Sequence, residues 1–261
     1  MTTANTRWDT SYEWKAVTLL GLGFGLVGLD RWIIAPLFPF MLQDLGLNLQ
    51  DQGSIIGILG MAWGVFAIFS GRLSDSIGHR KVLIPAILLF SLLSGVSGMA
   101  TGFASLFAIR LLMGVMEGSY CPTSFTATAA ASYPSRRGFL QGLQQCGFAL
   151  FGLALGPIIA TQLLLVVPSW RWVLGIVAIP GLVVGGLLYL VLREPADTQG
   201  GRMVGAVEGS GKWIDVFKSR NIVLSMCGLL CAMTCVFVLG AMVPNYLLDY
   251  LKLSPTQMGF V

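Results

Sequence analysis

The chain of 261 residues is 55% hydrophobic and only 11% charged, whereas roughly a quarter of the residues in a soluble domain are charged. This composition excludes an ordinary soluble protein and predicts an integral membrane protein, surrounded by a lipid bilayer. The formal net charge of +4 is too small to indicate a nucleic-acid partner.

Seven apolar runs are long enough to cross a bilayer as helices, for which about 20 residues are needed. Each is bounded by charged or turn-forming residues, and they lie at 16–40, 53–71, 82–102, 104–131, 139–167, 172–192 and 221–243. We number them spans 1 to 7. Beyond span 7, Ser254 and Pro255 have the pattern of a helix cap and first turn, which predicts the start of an eighth helix. The predicted fold is an all-α membrane bundle, and the chain is expected to end inside a helix.

Lysine and arginine concentrate at one end of the spans. Twelve of the sixteen lie before span 1 or after spans 2, 4 and 6, namely Arg7, Lys15, Arg72, Arg80, Lys81, Arg136, Arg137, Arg193, Arg202, Lys212, Lys218 and Arg220. Because cytoplasmic loops retain positive charge, this asymmetry predicts a cytoplasmic N-terminus. Residues 1–15 would then be a cytoplasmic segment, 16–192 a six-helix bundle, 193–220 a cytoplasmic interdomain loop and 221–261 the start of a second bundle. The first apolar run is too long for the core of a cleaved signal peptide.

Glycines in the first two spans suggest helix packing rather than nucleotide binding. Gly23, Gly25 and Gly28 match the dinucleotide fingerprint G-x-G-x-x-G, but that fingerprint requires a strand, a turn and a helix in succession. A four-residue spacing of small residues instead predicts close approach of helix backbones. It occurs at Gly21 and Gly25 in span 1 and among Gly53, Gly57, Gly60 and Gly64 in span 2.

Three cysteines of span 7, Cys227, Cys231 and Cys235, lie on one helix face. No histidine or carboxylate joins them, so packing is a better interpretation than a metal site. The sequence contains neither an H-E-x-x-H nor a G-x-S-x-G motif. We therefore expect no metal, no cofactor and no enzyme activity.

A short internal match relates the start of span 2 to the end of the chain. Leu45 to Asn48, with Gly53 five residues later, resembles Leu251 to Ser254, with Gly259 five residues later. Both stretches follow a proline-containing span and precede a predicted helix. This match predicts a parallel repeat in which span 7 restarts what span 1 began.

The loop after span 2 reads GRLSDSIGHRKVL, from Gly71 to Leu83. On its residues alone it is a basic cytoplasmic turn. It also resembles the signature loop between the second and third helices of the major facilitator superfamily of transporters. Ser76 and His79 stand where that family often has basic residues, and the matching positions are Gly71, Leu73, Asp75, Gly78, Arg80 and Lys81. The resemblance implies that Asp75 helps latch a cytoplasmic gate, with Arg136 or Arg137 as its partner.

A second stretch, GLALGPIIA, resembles the glycine-proline motif of helix 5 in the same family. Gly152, Gly156 and Pro157 match it, whereas Ala160 and Thr161 replace its closing glycine pair. The family resemblance implies twelve helices and a monomer when full length. The chain would then hold the first six-helix half and the start of the second.

Four charged residues lie inside the predicted spans, where an ion at the bilayer centre costs from about 2.5 to more than 10 kcal/mol. Asp30 lies near 22 Å along the helix from Lys15, deep in the membrane, and Arg31 adjoins it. In span 4, Arg110 and Glu117 are separated by two turns, about 10 Å along one helix face. Such residues are expected to face each other or a wet cavity.

Two interpretations of these charges are open. They could form structural ion pairs between helices 1 and 4, with Asp30 bound to Arg110 and Arg31 to Glu117. Alternatively, at least one carboxylate exchanges its proton as a cavity opens to each side of the membrane. Burial disfavours the ionised form of a carboxyl group and a nearby arginine favours it. A substrate anion that occupied the arginine would remove that partner, which would couple substrate to proton.

This constellation resembles the anion:cation symporter branch of the superfamily, in which organic anions such as sugar acids enter with protons. Asp30, Arg31, Arg110, Glu117 and Gly118 fall on its Asp-Arg pair in helix 1 and its Arg-x6-Glu-Gly stretch in helix 4. The resemblance implies proton sites at Asp30 and Glu117. It also implies that Arg31 anchors a substrate carboxylate and that Arg110 belongs to the binding site.

The sequence offers three further candidates for the cavity wall: Trp63 in span 2, and Gln144 and Gln145 in span 5. The favoured function is proton-coupled symport of a small organic anion, a sugar acid or another carboxylate, across a bacterial inner membrane. A proton-coupled exporter of drugs or metabolites is the first alternative, although two intramembrane arginines suit anions better than cationic drugs. A non-transporting membrane sensor or assembly subunit is the second.

Overall fold

The structure, a computed structural model, describes residues 8–193, 218–254 and 257. Every regular element in these residues is helical, and the α-helices are α1 (Thr10–Trp32), α2 (Ile34–Leu45), α3 (Leu49–Ile77), α4 (His79–Ser97), α5 (Phe103–Ala131), α6 (Arg137–Phe148), α7 (Gly156–Val166), α8 (Trp170–Val191) and α9 (Arg220–Asp249). A 3-10 turn at Pro134–Arg136 precedes α6, and a π-helical segment at Ala149–Leu155 joins α6 to α7. The predicted all-α fold is confirmed. Arg7, Arg202, Lys212, Pro255 and most of the predicted interdomain loop lie outside the described residues.

The predicted spans correspond to these helices. Span 1 comprises α1 and α2, and span 5 comprises α6, the π segment and α7, whereas α3, α4, α5, α8 and α9 are spans 2, 3, 4, 6 and 7. Six of the seven segments are long and apolar enough to cross a membrane. The exception is α5, which is 29 residues long but carries Arg110, Glu117 and several hydroxyl side chains.

Prolines explain the two irregular spans. Span 1 is interrupted at Ile33, between α1 and α2. The cause is Pro36, because proline has no N–H group and cannot donate the helical hydrogen bond to the carbonyl group of Trp32. In span 5, Pro157 stands in the first turn of α7, directly after the π segment. Gly152, Gly156 and Pro157, the residues of the predicted helix-5 motif, therefore lie within or next to a distorted part of the span.

Glycines let α1 approach span 5 closely, as the spacing predicted for Gly25 but not for Gly28. A Cβ atom at Gly25 would lie 2.7 Å from the Phe151 ring, and one at Gly28 would lie 2.5 Å from the carbonyl oxygen of Phe148. The same prediction for span 2 finds no partner in the described part of the chain, where no atom lies within 4 Å of a Cβ built at Gly53, Gly57, Gly60 or Gly64. Instead α3 packs on Gly118 of α5, where a Cβ would meet the Trp63 carbonyl oxygen at 2.5 Å.

The loop after span 2 lies at the basic end of the bundle, the end at which α1 begins and α3 and α5 end. Gly78 has a φ of +99°, a conformation that favours glycine. Ser74 Oγ and His79 Nδ1 are 2.7 Å apart across this turn. Arg80 donates a 2.5 Å hydrogen bond to the carbonyl oxygen of Tyr189. These contacts join α3, α4 and α8.

The expected partner of Asp75 is engaged elsewhere in this conformation. Arg136 forms a 2.7 Å ion pair with the fully buried Glu13 of α1, and Arg137 Nε donates to the carbonyl oxygen of Ser132 at 3.3 Å. Asp75 is exposed. The predicted pairing of Asp75 with Arg136 or Arg137 is therefore absent from the described contacts, in which Arg136 pairs with Glu13 and Arg137 bonds to Ser132.

Helix α9 contacts the six-span bundle through its second half only. Residues 218–235 are exposed, including Cys227, Cys231 and Cys235, so the predicted packing partners of these cysteines are not among the described residues. Further along α9, the Phe237 ring lies 5.2 Å from the Trp32 ring. The contact is thus confined to the end of the bundle opposite the basic end.

The geometry agrees with the repeat seen in the sequence. Gly46 and Lys252, which are equivalent in the repeat, both have left-handed backbones with φ of +63° and +54°. Asn48 then closes a capping box on α3. Ser254 makes the same reciprocal bonds with Gln257, at 3.0 and 3.3 Å.

Candidate functional site

All four intramembrane charges lie between α1 and α5. Asp30 and Arg31 lie near the end of α1, and Arg110 and Glu117 lie on the facing side of α5. Their exposed fractions are 3%, 8%, 1% and 0%. Such burial is unfavourable for a charged side chain unless it is paired and hydrogen-bonded, so the contacts of these four residues determine what the site can do.

Arg31 and Glu117 form a buried ion pair. One terminal guanidinium nitrogen of Arg31 lies 2.8 Å from Glu117 Oε2, while Arg31 Nε and Glu117 Oε1 have no hydrogen-bond partner among the described residues. The Arg31 guanidinium also lies 4.9 Å from the centre of the Trp63 ring, a distance at which a cation is attracted to an aromatic face. The structure therefore confirms one of the two ion pairs considered from the sequence.

The other pairing, Asp30 with Arg110, differs from that expectation. The carboxylate of Asp30 accepts a 2.7 Å hydrogen bond from the hydroxyl group of Ser94 in α4. Arg110 Nη1 donates at 3.1 Å to the main-chain carbonyl of Asp30 rather than to its carboxylate. Arg110 Nε and Nη2 have no hydrogen-bond partner among the described residues. Arg110 thus keeps two donor groups available.

A small cavity between the helices lies against the two arginines. Spans 1, 2, 4 and 7 contribute to its wall, which consists of Arg31, Ile34, Ile55, Ile56, Leu59, Arg110 and Phe237. A cavity between helices with a few convergent polar groups is a typical ligand site. Its two guanidinium groups would bind an anion, because arginine presents a rigid fork of donors that matches a carboxylate.

Of the three further wall candidates, only Trp63 is near the charges. Its ring faces Arg31, and its Nε1 donates to Cys121 Sγ at 3.2 Å. Gln144 is buried beside Gly21 and donates to Ser124 Oγ at 2.9 Å. Gly21 precedes Arg31 by about 15 Å of helix, so Gln144 lies nearer the basic end, and its neighbour Gln145 is exposed.

Ser94 and the isoleucine wall of α3 were not among the sequence-based candidates. Ser91, Ser94 and Ser97 are all buried on α4 and recur every three residues, a spacing that places them on one helix face. This regular spacing of serines in an apolar helix is the sequence feature that could have identified Ser94 as a candidate. Ile55 and Ile56 carry no such signal, because apolar residues are abundant in every span.

Comparisons with known proteins agree with this architecture. Residues 20–261 match the family model described as Major Facilitator Superfamily. The chain is 32% identical over 183 residues to the 4-hydroxybenzoate transporter PcaK of Pseudomonas aeruginosa, covering 69% of this chain and 38% of that protein. It is 27% identical over 238 residues to the hexuronate transporter of Bacillus subtilis, covering 89% of this chain and 56% of that protein.

A solved structure has the same fold. It is a bacterial homologue of the human lysosomal transporter Spinster in an inward-facing, occupied conformation, with a TM-score of 0.76 at 18% identity. The match covers 95% of this chain and 57% of that one, so the chain spans little more than half of its structural relative. From the family match over residues 20–261 and the shared helical architecture, the chain belongs to the Major Facilitator Superfamily.

Proposed function

We propose that this chain forms the first half, with the start of the second, of a secondary active transporter that carries a small organic anion together with protons. The observation that carries the proposal is the buried Arg31–Glu117 ion pair, 2.8 Å long, with Arg31 in the wall of a cavity. Two relatives named as transporters of organic acids, for 4-hydroxybenzoate and for hexuronate, support it.

Coupling follows from competition for Arg31. An anion that binds the guanidinium of Arg31 displaces the carboxylate of Glu117, which is fully buried and has one oxygen already without a partner. An isolated buried carboxylate is costly, and such a group neutralises instead. Binding of the anion and protonation of Glu117 therefore favour each other, as linked equilibria must. Asp30, whose carboxylate accepts a hydrogen bond from Ser94, is the second proton site.

The position of α9 supports an inward-facing conformation. Its first half stands away from the bundle at the basic end, and its second half contacts α2 and α3 at the opposite end. The distribution of lysine and arginine assigns the basic end to the cytoplasm. The cavity would then be closed from outside and open toward the cytoplasm in a bacterial inner membrane.

A buried polar contact closes the outer side in this conformation. Gln52 of α3 is fully buried, donates to the carbonyl oxygen of Ala241 at 3.0 Å and accepts from Asn245 Nδ2 at 2.7 Å. Opening the outer side must break both hydrogen bonds. Gln52→Leu is therefore expected to shift a full-length protein toward the outward-open state by about 1 to 3 kcal/mol, the cost of a buried polar group left unsatisfied.

The shift is measured as the labelling rate of a cysteine introduced at Ile34 by a membrane-impermeant maleimide added outside. Gln50→Leu is the matched control, because Gln50 is exposed in the same helix. Labelling that is unchanged in Gln52→Leu, or equally raised in both variants, would exclude this contact as an outer gate.

The chain of 261 residues alone is expected not to transport. Alternating access requires two halves that move about a site at the membrane midplane, and in this structure α9 is the only described helix beyond the first six spans. The measurement is uptake of labelled carboxylates by proteoliposomes that contain only these residues. Saturable uptake driven by a pH gradient would contradict the expectation.

The signature loop is proposed to act in a different state. Because Arg136 is held by Glu13 here, Asp75 could meet Arg136 or Arg137 only after the basic end has closed. Gly71, Gly78, Arg80 and Lys81 would shape that turn, in which Gly78 and Arg80 already fix the path of the backbone.

Two other functions make different predictions. An exporter would exchange its substrate against protons, and a sensor or assembly subunit would move nothing. Counterflow of labelled carboxylates in proteoliposomes of a full-length protein that contains this chain tests the proposal. Saturable counterflow supports an anion transporter, and its absence for every carboxylate tested would refute the proposal.

A further inference from the structure

We infer that the transported anion is a carboxylate with an apolar or aromatic body rather than a polyhydroxylated sugar acid. The inference deepens the proposed function and rests on it. It comes from the chemistry of the wall that surrounds the two arginines.

The part of the cavity wall that the described residues form is apolar except at the guanidinium groups. Ile55, Ile56 and Leu59 lie on one face of α3, and Ile34 of α2 and Phe237 of α9 complete the wall. Ile34, Ile55 and Leu59 have exposed fractions of 1%, 0% and 3%. These side chains offer van der Waals contact and no hydrogen bond to whatever occupies the cavity.

Two polar side chains close to this wall, Gln52 and Trp63, donate their hydrogen bonds to other residues. Gln52, one turn from Ile55, is bonded to Ala241 and Asn245. The N–H group of Trp63 donates to Cys121. Among the residues that line the cavity, the donors without a partner in the described part of the chain belong to the two arginines, at Arg31 Nε and at Arg110 Nε and Nη2. Trp32 Nε1 is a further buried donor without a described partner, but Trp32 does not line the cavity, although its ring packs on Phe237.

The arginine donors that line the cavity can bind one carboxylate group, and the apolar wall offers no hydrogen bond to other polar groups of a substrate. A sugar acid carries hydroxyl groups around its whole body, and a hydroxyl placed against Ile55, Ile56 or Phe237 would lose its water without gaining a partner. Such a substrate would have to turn every hydroxyl toward the second bundle. A benzene ring or a branched alkyl group presents an apolar face and gains from burial against the same wall.

The first test compares anions of equal charge and similar size. Benzoate, cyclohexanecarboxylate, glucuronate and gluconate are titrated as competitors of counterflow in a full-length protein that contains this chain. We expect benzoate and cyclohexanecarboxylate to compete at concentrations at least about tenfold lower than the two sugar acids. Sugar acids that compete equally well or better would overturn the inference and leave the proposed anion transport intact. Competition by none of the four would overturn both.

The second test changes the wall. Ile56 is partly buried and lines the cavity, so Ile56→Thr places a hydroxyl group there and removes the terminal methyl group of the side chain. The ratio of glucuronate to benzoate affinity should rise at least about threefold. Ile58→Thr is the matched control, because Ile58 is partly buried in the same helix but is not in the cavity wall. An unchanged ratio in Ile56→Thr, or the same rise in both variants, would overturn the assignment of this wall to the substrate body.

Discussion

Glu117→Gln is expected to leave exchange of the anion across the membrane intact while abolishing its accumulation under a pH gradient. Glutamine has the shape of a protonated glutamate, so the state that binds the anion remains accessible. It cannot release a proton, however, and the anion therefore crosses without the ion that should drive it. The measurement is uptake of labelled substrate in proteoliposomes, first by counterflow at equal pH and then with an imposed pH gradient.

Asp30→Asn is the matched variant for this experiment. Asp30 is as deeply buried as Glu117 but accepts from Ser94 instead of pairing with an arginine. If Glu117→Gln still accumulates substrate under a pH gradient and Asp30→Asn does not, the proton role belongs to Asp30. If both variants accumulate substrate, neither carboxylate carries the coupled proton.

Arg31→Ala is expected to abolish binding and exchange of the anion together. Removing one member of a buried, hydrogen-bonded charge pair costs about 3 kcal/mol, which corresponds to roughly a hundredfold in affinity. Arg31→Lys should recover part of the affinity, because it keeps the charge but loses the fork of donors that fits a carboxylate. Affinity is measured from the concentration dependence of counterflow.

Thermal unfolding, measured beside the transport assays, separates substrate binding by Arg31 from a purely structural role of the ion pair. If the Arg31–Glu117 pair only held α1 to α5, Arg31→Ala and Glu117→Gln would lower the melting temperature and impair every transport assay alike. A functional pair predicts different transport defects in the two variants. Identical defects in binding, exchange and accumulation would favour the structural interpretation.

The meeting of the four charges could be foreseen from the sequence, but their pairing could not. The depth of Asp30 follows from counting helical residues, and the spacing of Arg110 and Glu117 fixes them on one face. Which carboxylate pairs with which arginine depends on the rotation of α1 against α5. Of the two ion pairs that the sequence suggests, the structure contains the Arg31–Glu117 pair. Ser94 took the place of Arg110 as partner of the Asp30 carboxylate because α4 presents its serines there.

Glycine spacing had the same limit. It marks surfaces on which backbones can approach, and it succeeded at Gly25, whereas Gly28, which also receives a neighbouring backbone, is not part of that spacing. At Gly57 and Gly60 no described residue lies opposite, and spacing within one helix does not say which helix lies opposite it. Gly118, which does pack against the backbone of α3, directly follows Glu117 and is not among the glycines for which the spacing in spans 1 and 2 predicts close approach.

The most direct test of the central claim is the direction of proton movement during anion uptake. Proteoliposomes of a full-length protein that contains this chain are loaded with a pH-sensitive dye and given an inward gradient of benzoate at equal pH on both sides, with protein-free liposomes as the control for passive entry of the acid. The account predicts acidification of the interior that exceeds the control, saturates with benzoate and is lost in Glu117→Gln. Protein-dependent uptake of benzoate without acidification, or with protons moving outward, would contradict proton-coupled symport.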